Sequence, residues 1–245
     1  MATYVYAIIP ADDALPDVSG IGDPPAPLRR IARGPVAAVA GDAPPDLRAR
    51  RRDVAAHHEV LSTLADRGPV LPLRFGAVLD DDAQVAAHLE EQATRYAEAL
   101  ERLAGTTEFN VKAEFDLDTV LRDIVAADDG ILAQREKARK SGVLDDQMRL
   151  GELVSNAVAR RETEVRDLLL HRLADQAIDT QTGPEVENVA ANLSFLVERA
   201  NADSFRSAVQ ALEGNVGDGV WLRCTGPLPV YSFAPDAVPD AVEGT

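Results

Sequence analysis

Cysteine is almost absent: Cys224 is the single one in 245 residues. No intramolecular disulfide can form, which fits a reducing cytosol. Aromatic residues reach only 4%, so much of any core must come from Leu, Val and Ala. Long apolar runs are missing as well, and none approaches the about 18 residues of a membrane-spanning helix. The opening "MATYVYAIIP" lacks a basic segment and stops at Pro10. It reads as a first strand and not as a signal peptide. Basic charge is scarce, with 25 Lys and Arg against 41 Asp and Glu and a net charge of −16. A nucleic-acid binder needs a basic surface to displace counterions, and anionic lipid would repel this one. The acidity fits high solubility, a neutral or basic partner, or a salt-adapted proteome.

What is present is enough for a folded chain: 46% hydrophobic and 27% charged residues. Residues 3–9 are rich in β-formers, and 11–28 read as a linker-like excursion around Pro16, Pro24, Pro25 and Pro27. A second short strand is expected over 34–42 and a helix over 46–68. Residues 69–80 read as extended and irregular because of Pro72 and Gly76. Residues 81–105 read as a helix, with acidic residues at its start and Val85, Leu89, Tyr96, Leu100 and Leu103 as its apolar stripe. Residues 107–116 alternate apolar and polar, which predicts a strand with Phe109, Val111, Ala113 and Phe115 on one buried face. A helical region follows over 117–176, interrupted near Asp128–Gly130 and Ser141–Gly142. Two strands around Gly183-Pro184, a helix over 202–215 and a strand over 219–233 complete the chain.

These elements predict an α+β fold in two domains. Residues 1–105 form the first, in the order β-β-α-β-α. Residues 106–234 form the second, β-α-β-β-α-β, the order of a ferredoxin-like unit with an antiparallel sheet and a long helical region. Residues 235–245 are expected to be a loose tail.

The candidates for chemistry are thin. His57 and His58 are adjacent, so on a helix they point about 100° apart and cannot share one metal ion as an i, i+4 pair would. His57 is expected to pack beside Val54 and Leu61, with Asp53 near enough to pair with it. Cys224 has no histidine tied to it by spacing, and reads as a small core or sheet residue. No phosphate-cradling glycine motif or nucleophile elbow occurs. The basic run Arg48–Arg52 (with Ala49 in it) reads as a solvated, salt-bridged helix start. Asp80–Asp82 and Asp128-Asp129 read as helix-start residues. These readings assign no catalytic residue, cofactor or metal.

Five stretches remain, in one order along the chain: "YVYAIIPA", "VLPLRFGAVLDD", "FNVKAEFD", "ANLSFLV" and "GPLPVYSF". Together they resemble the gas vesicle protein GvpL/GvpF family, over residues 3 to about 234. The order of the five is what makes the resemblance specific. One departure is Leu228, where the family usually carries Trp; the acidity is another. The resemblance implies a cytosolic accessory protein of gas vesicle formation without catalytic activity. It implies contact with the small hydrophobic shell protein and with other accessory Gvp proteins, and association with gas vesicles. It draws attention to Arg74, Phe75, Gly76, Pro229, Tyr231 and Phe233 as structural or partner-contact positions. Arg74 is expected to lay its stem on apolar neighbours while its fork binds a carboxylate or carbonyl groups. Gly76 is expected to permit a bulge or close backbone approach. Two competing readings are a small hydrolase or transferase built on a carboxylate or His cluster, and a small-molecule-binding regulatory module. A converging set of titratable groups in a pocket would favour the first, ligand-dependent melting the second.

Overall fold

The structure is a computed structural model and describes residues 1–235; the expected tail, 235–245, lies outside the described residues but for its first. The packing divides the described residues into two compact units, Met1–Glu108 together with 227–235, and Phe109–Gly226. The architecture is α+β.

In the first unit, strand β1 (Thr3–Pro10) lies at the centre of a sheet. It pairs antiparallel with β3 (Val36–Asp42), and β2 (Arg29–Arg33) continues the sheet beyond β3. Two short strands, β4 (Leu71–Pro72) and β5 (Val78–Leu79), pair with β1 on its other side. Helix α1 (Arg51–Arg67) and helix α2 (Asp82–Arg102) complete the unit. The predicted stripe of α2 is buried in full, from Val85 to Leu103. Asp81 caps the helix by accepting a bond from the Gln84 N–H at 2.9 Å.

The sequence reading misses β2. "RRIAR" carries three arginines, which break the apolar pattern, yet only Ile31 is buried. Arg29 bonds Asp42 at 2.7 Å and Asp82 at 2.8 Å. The charges of this edge strand are thereby used to hold β3 and the start of α2. The 11–28 excursion is not linker-like either. Ile21 is fully buried, and its N–H donates to the Tyr6 hydroxyl at 2.8 Å. Arg52 reaches Asp23 at 2.6 Å. A Cβ at Gly20 would lie 2.4 Å from that same hydroxyl, so only glycine fits there.

The second sheet has strand order β7-β8-β6-β9. Its members are β6 (Thr106–Phe115), β7 (Asp179–Thr182), β8 (Val189–Glu198) and β9 (Val220–Leu228). β7 and β8 pair antiparallel. Between β6 and β7 run α3 (Leu117–Ala127), α4 (Asp129–Ser141) and α5 (Leu144–Leu173), and α6 (Ala202–Leu212) lies between β8 and β9. The breaks in the helical region fall where the sequence places them. Asp128 caps α4, accepting from Gly130 and Ile131, and Gly142 closes it at φ 64°. Phe109, Val111, Ala113 and Phe115 share one core with Val165, Leu169 and Leu173 of α5 and Phe205 and Val209 of α6.

The packing boundary falls after Glu108 and not at Gly105, and residues 227–235 pack with the first unit and not with the second. The physical reason lies at the start of β6, where alternation gives way to burial on both faces. Residues 228–233 cover that end. The Thr107 hydroxyl donates to the Leu228 carbonyl at 3.0 Å, and Arg102 donates to the Phe233 carbonyl at 3.2 Å. Ser232 donates to the buried Glu108 carboxylate from its N–H at 2.8 Å and its hydroxyl at 2.7 Å.

Candidate functional site

The candidate residues from both sequence boxes lie in the first unit, and Phe75, Gly76 and Tyr231 gather on the core that holds Tyr4 and the ring of His57. This side chain is 3% exposed. Its Nε2 lies 3.1 Å from the Leu73 carbonyl and its Nδ1 2.8 Å from the Tyr4 hydroxyl. A carbonyl can only accept, so Nε2 carries the proton. Burial pushes the His57 pKa down to about 4, so at neutral pH Nδ1 is bare and accepts from Tyr4. The Tyr4 hydroxyl in turn accepts from the Gly76 N–H at 3.3 Å. One buried histidine thus ties β1 to both ends of the "LRFG" box.

Aromatic rings close around it. His57 stacks on Tyr6 at 5.6 Å and meets Phe75 edge-on at 5.7 Å; Tyr4 meets Phe75 at 5.9 Å. Phe75 and Tyr231 are half-buried and pack against this same core. The chain thereby brings its opening strand, the "LRFG" box and the closing box to one place. Burial raises the hydroxyl of Tyr231 to about 12, with Glu108 adding to the shift, and raises that of Tyr4 further. Neither is a base or a nucleophile at neutral pH.

The other candidates divide into frame and rim. Gly76 has φ 102°, and a Cβ there would meet nothing within 4 Å. Its requirement for glycine is therefore one of backbone conformation, in a turn that aims its N–H at Tyr4. Pro229 and Phe233 are buried anchors of the closing segment. Arg74 corrects the sequence expectation: it is exposed, and no hydrogen bond or ion pair holds it among the described residues. The nearby carboxylates are already engaged. Asp80 takes Gln84, Asp81 caps α2, and Asp82 takes Arg29 and Thr3. Leu71, Pro72 and Leu73 are all buried, and Arg74 comes out where the chain leaves β4 for the turn at Phe75-Gly76.

Two further expectations change. Val54 is 41% exposed and does not pack with His57, and Asp53 does not pair with it. Asp53 is buried instead and accepts from the Gly22 N–H at 3.0 Å. The inner face of α1 therefore begins with two polar side chains, Asp53 and His57, each used to fix a loop. A reading that looks for apolar residues at helical spacing passes over both.

For catalysis the arrangement offers little. His58 points outward, away from His57, and His88 bonds Tyr96 at 2.7 Å. Among the described residues no three His, Cys, Asp or Glu side chains cluster so as to hold a metal ion. Burial raises the Cys224 thiol, the opposite of what a nucleophile needs. Among them, too, no helix is long and apolar enough to cross a membrane.

The family described as "Gas vesicle synthesis protein GvpL/GvpF" matches residues 2–235. The chain belongs to the GvpL/GvpF family. It is 41% identical to gas vesicle protein F of Streptomyces sp. (strain CB03234), over 95% of this chain and 99% of that one. Gas vesicle protein L of the same strain is 33% identical, over 98% and 95%. The fold is shared with the crystal structure of GvpF from Microcystis aeruginosa, with a TM-score of 0.80 at 23% identity, covering 96% of this chain and 99% of that one. The knot around His57 is thus a feature of a GvpL/GvpF chain, and every residue in it sits within the matched span.

Proposed function

We propose that this GvpL/GvpF chain is a non-enzymatic accessory protein that works in the cytoplasm and in association with gas vesicles. It binds the small hydrophobic shell protein and other accessory Gvp proteins during assembly. The observation that carries the reading is the rim of the His57 knot. Arg74 stands exposed and unpaired beside half-buried Phe75, while Tyr231 lies half-buried on the same core. Tyr, Phe and Arg presented from a rigid base are the composition of an interface centre. An apolar shell subunit needs its sticky surface covered before it is built in, and a partner of net charge −16 keeps the pair in solution. We read the second unit as ferredoxin-like, on its β-α-β-β-α-β order and its strand order.

The test is a pull-down of the shell protein by Arg74→Ala. The variant is expected to melt like the parent, because no bond is lost, and to bind the shell protein at least several-fold more weakly. Undiminished binding would remove Arg74 from the contact surface.

A further inference from the structure

The turn between α4 and α5 carries a different kind of surface. Val143 is 52%, Leu144 70% and Met148 59% exposed. Leu144 and Met148 are one helical turn apart and so lie on one face of α5. That face points away from α4, because Asp146, two residues from each, points toward it. Lys137 reaches the Asp146 carboxylate at 2.7 Å, the Ser141 hydroxyl donates to it at 2.7 Å, and Gln134 donates to its backbone carbonyl at 2.9 Å. The two helices are thus joined through polar groups, and the apolar side chains of this turn are left facing outward.

The charge here is opposite to that of the chain. Residues 135–149 hold Arg135, Lys137, Arg139, Lys140 and Arg149 against Glu136, Asp145 and Asp146, an excess of two positive charges in a protein of net −16. Arg139 and Lys140 share the single carboxylate of Glu136. Arg135 and Arg149 have no ion-pair partner among the described residues.

We propose that this hairpin turn is a docking surface for an acidic amphipathic helix of another protein. The helix lays its apolar stripe on Val143, Leu144 and Met148 and sets its carboxylates against Arg135, Arg139, Lys140 and Arg149. Charge selects this occupant over the two others that an apolar, basic patch could take. A second copy docking through the same turn sets Arg135, Arg139, Lys140 and Arg149 against their own copies and is repelled. An anionic bilayer is an extended surface, and it meets the whole acidic protein along with the turn. A helix is narrow enough to meet the turn alone, within a screening length of about 8–10 Å. The proposal is independent of the shell-protein reading and concerns other residues.

The experiment uses the full chain and two labelled synthetic helices of about 20 residues. Each carries the same leucine stripe, one with Glu and one with Lys on its polar face. Fluorescence anisotropy is expected to show saturable binding of the Glu peptide, weakened by added salt, and none of the Lys peptide. Leu144→Ser with Met148→Ser should weaken binding about tenfold or more, through the apolar area lost. Arg139→Glu with Lys140→Glu should weaken it as well, and Arg74→Ala should leave it unchanged. All of these side chains are exposed, so a thermal melt matching the parent shows that the variants fold. Equal binding of both peptides, or binding untouched by the turn variants, overturns the proposal. So does capture by phosphatidylserine vesicles without peptide binding, or a dimer in sedimentation that the Leu144→Ser/Met148→Ser variant abolishes.

Discussion

The knot around His57 and the α4–α5 hairpin are built by opposite rules. In the knot, polar groups lie inside a shell of rings, and each has a partner: Nε2 the Leu73 carbonyl, Nδ1 the Tyr4 hydroxyl, that hydroxyl the Gly76 N–H. In the hairpin the polar groups join the helices, and apolar side chains such as Leu144 and Met148 stand in solvent. A buried polar bond is costly to leave unmade, so it fixes one geometry. An exposed leucine fixes nothing in its own chain, and its burial energy is available only to a partner. Damage to the knot should therefore be read as lost stability, and damage to the hairpin as lost local protection or lost binding.

The largest effect is expected from His57→Ala. It removes a buried ring and orphans the Tyr4 hydroxyl and the Leu73 carbonyl, at a cost of about 3–5 kcal/mol. Urea unfolding measures it; a loss below about 1 kcal/mol would mean that the knot does not hold the unit. Next comes pH. The folded His57 titrates at about 4, below its ordinary 6.5, so between those values the unfolded chain binds more protons. The stability this histidine contributes is full above pH 6.5 and is lost as the pH falls through 4, by about 3 kcal/mol in total. Denaturation midpoints should fall between pH 6.5 and 4 while the native histidine resonance keeps its neutral shift until near 4, and a flat profile would contradict the burial. Gly76→Ala, at φ 102°, should cost about 1–3 kcal/mol through backbone strain alone. Asp146→Asn sharpens the other half of the comparison. Lys137 and Ser141 hold that carboxyl below the usual range, and its loss should speed amide exchange across 129–149 while slowly exchanging amides of β6 keep their protection. The smallest effect on stability is that of Arg74→Ala, within about 0.5 kcal/mol of the parent.

The regions also differ in how far the sequence discloses them. Strand β6 shows itself through Phe109, Val111, Ala113 and Phe115, because one face is buried and the period is two. The hairpin shows itself through its punctuation, Asp128 and Gly142, whose cap chemistry is local. The GvpL/GvpF family is legible in the order of five boxes. The knot is not legible in the same way. Its residues lie at positions 4, 57, 73, 76 and 231, and only the fold brings them together. Asp53 and His57 break the apolar pattern of α1, and the arginines of β2 hide a strand, because the partners of Arg29 (Asp42, Asp82) and of Arg30 (the Ala11 and Asp13 carbonyls) are distant in sequence. Arg74 is not legible by period either: Leu71, Pro72 and Leu73 are buried in succession, and the side chain comes out only where the chain turns at Phe75-Gly76.

The closing segment, last, has a meaning for how the protein is made. Glu108 is buried and receives both its bonds from Ser232, 124 positions later. During synthesis the first unit emerges early, yet it must wait with that carboxylate, Arg102 and Thr107 unsatisfied. The whole of Phe109–Gly226 is made and can fold as one continuous stretch before the missing piece arrives. The part that leaves the ribosome first is therefore the part that is finished last, and its surface around Tyr231 exists only on a chain completed to that point.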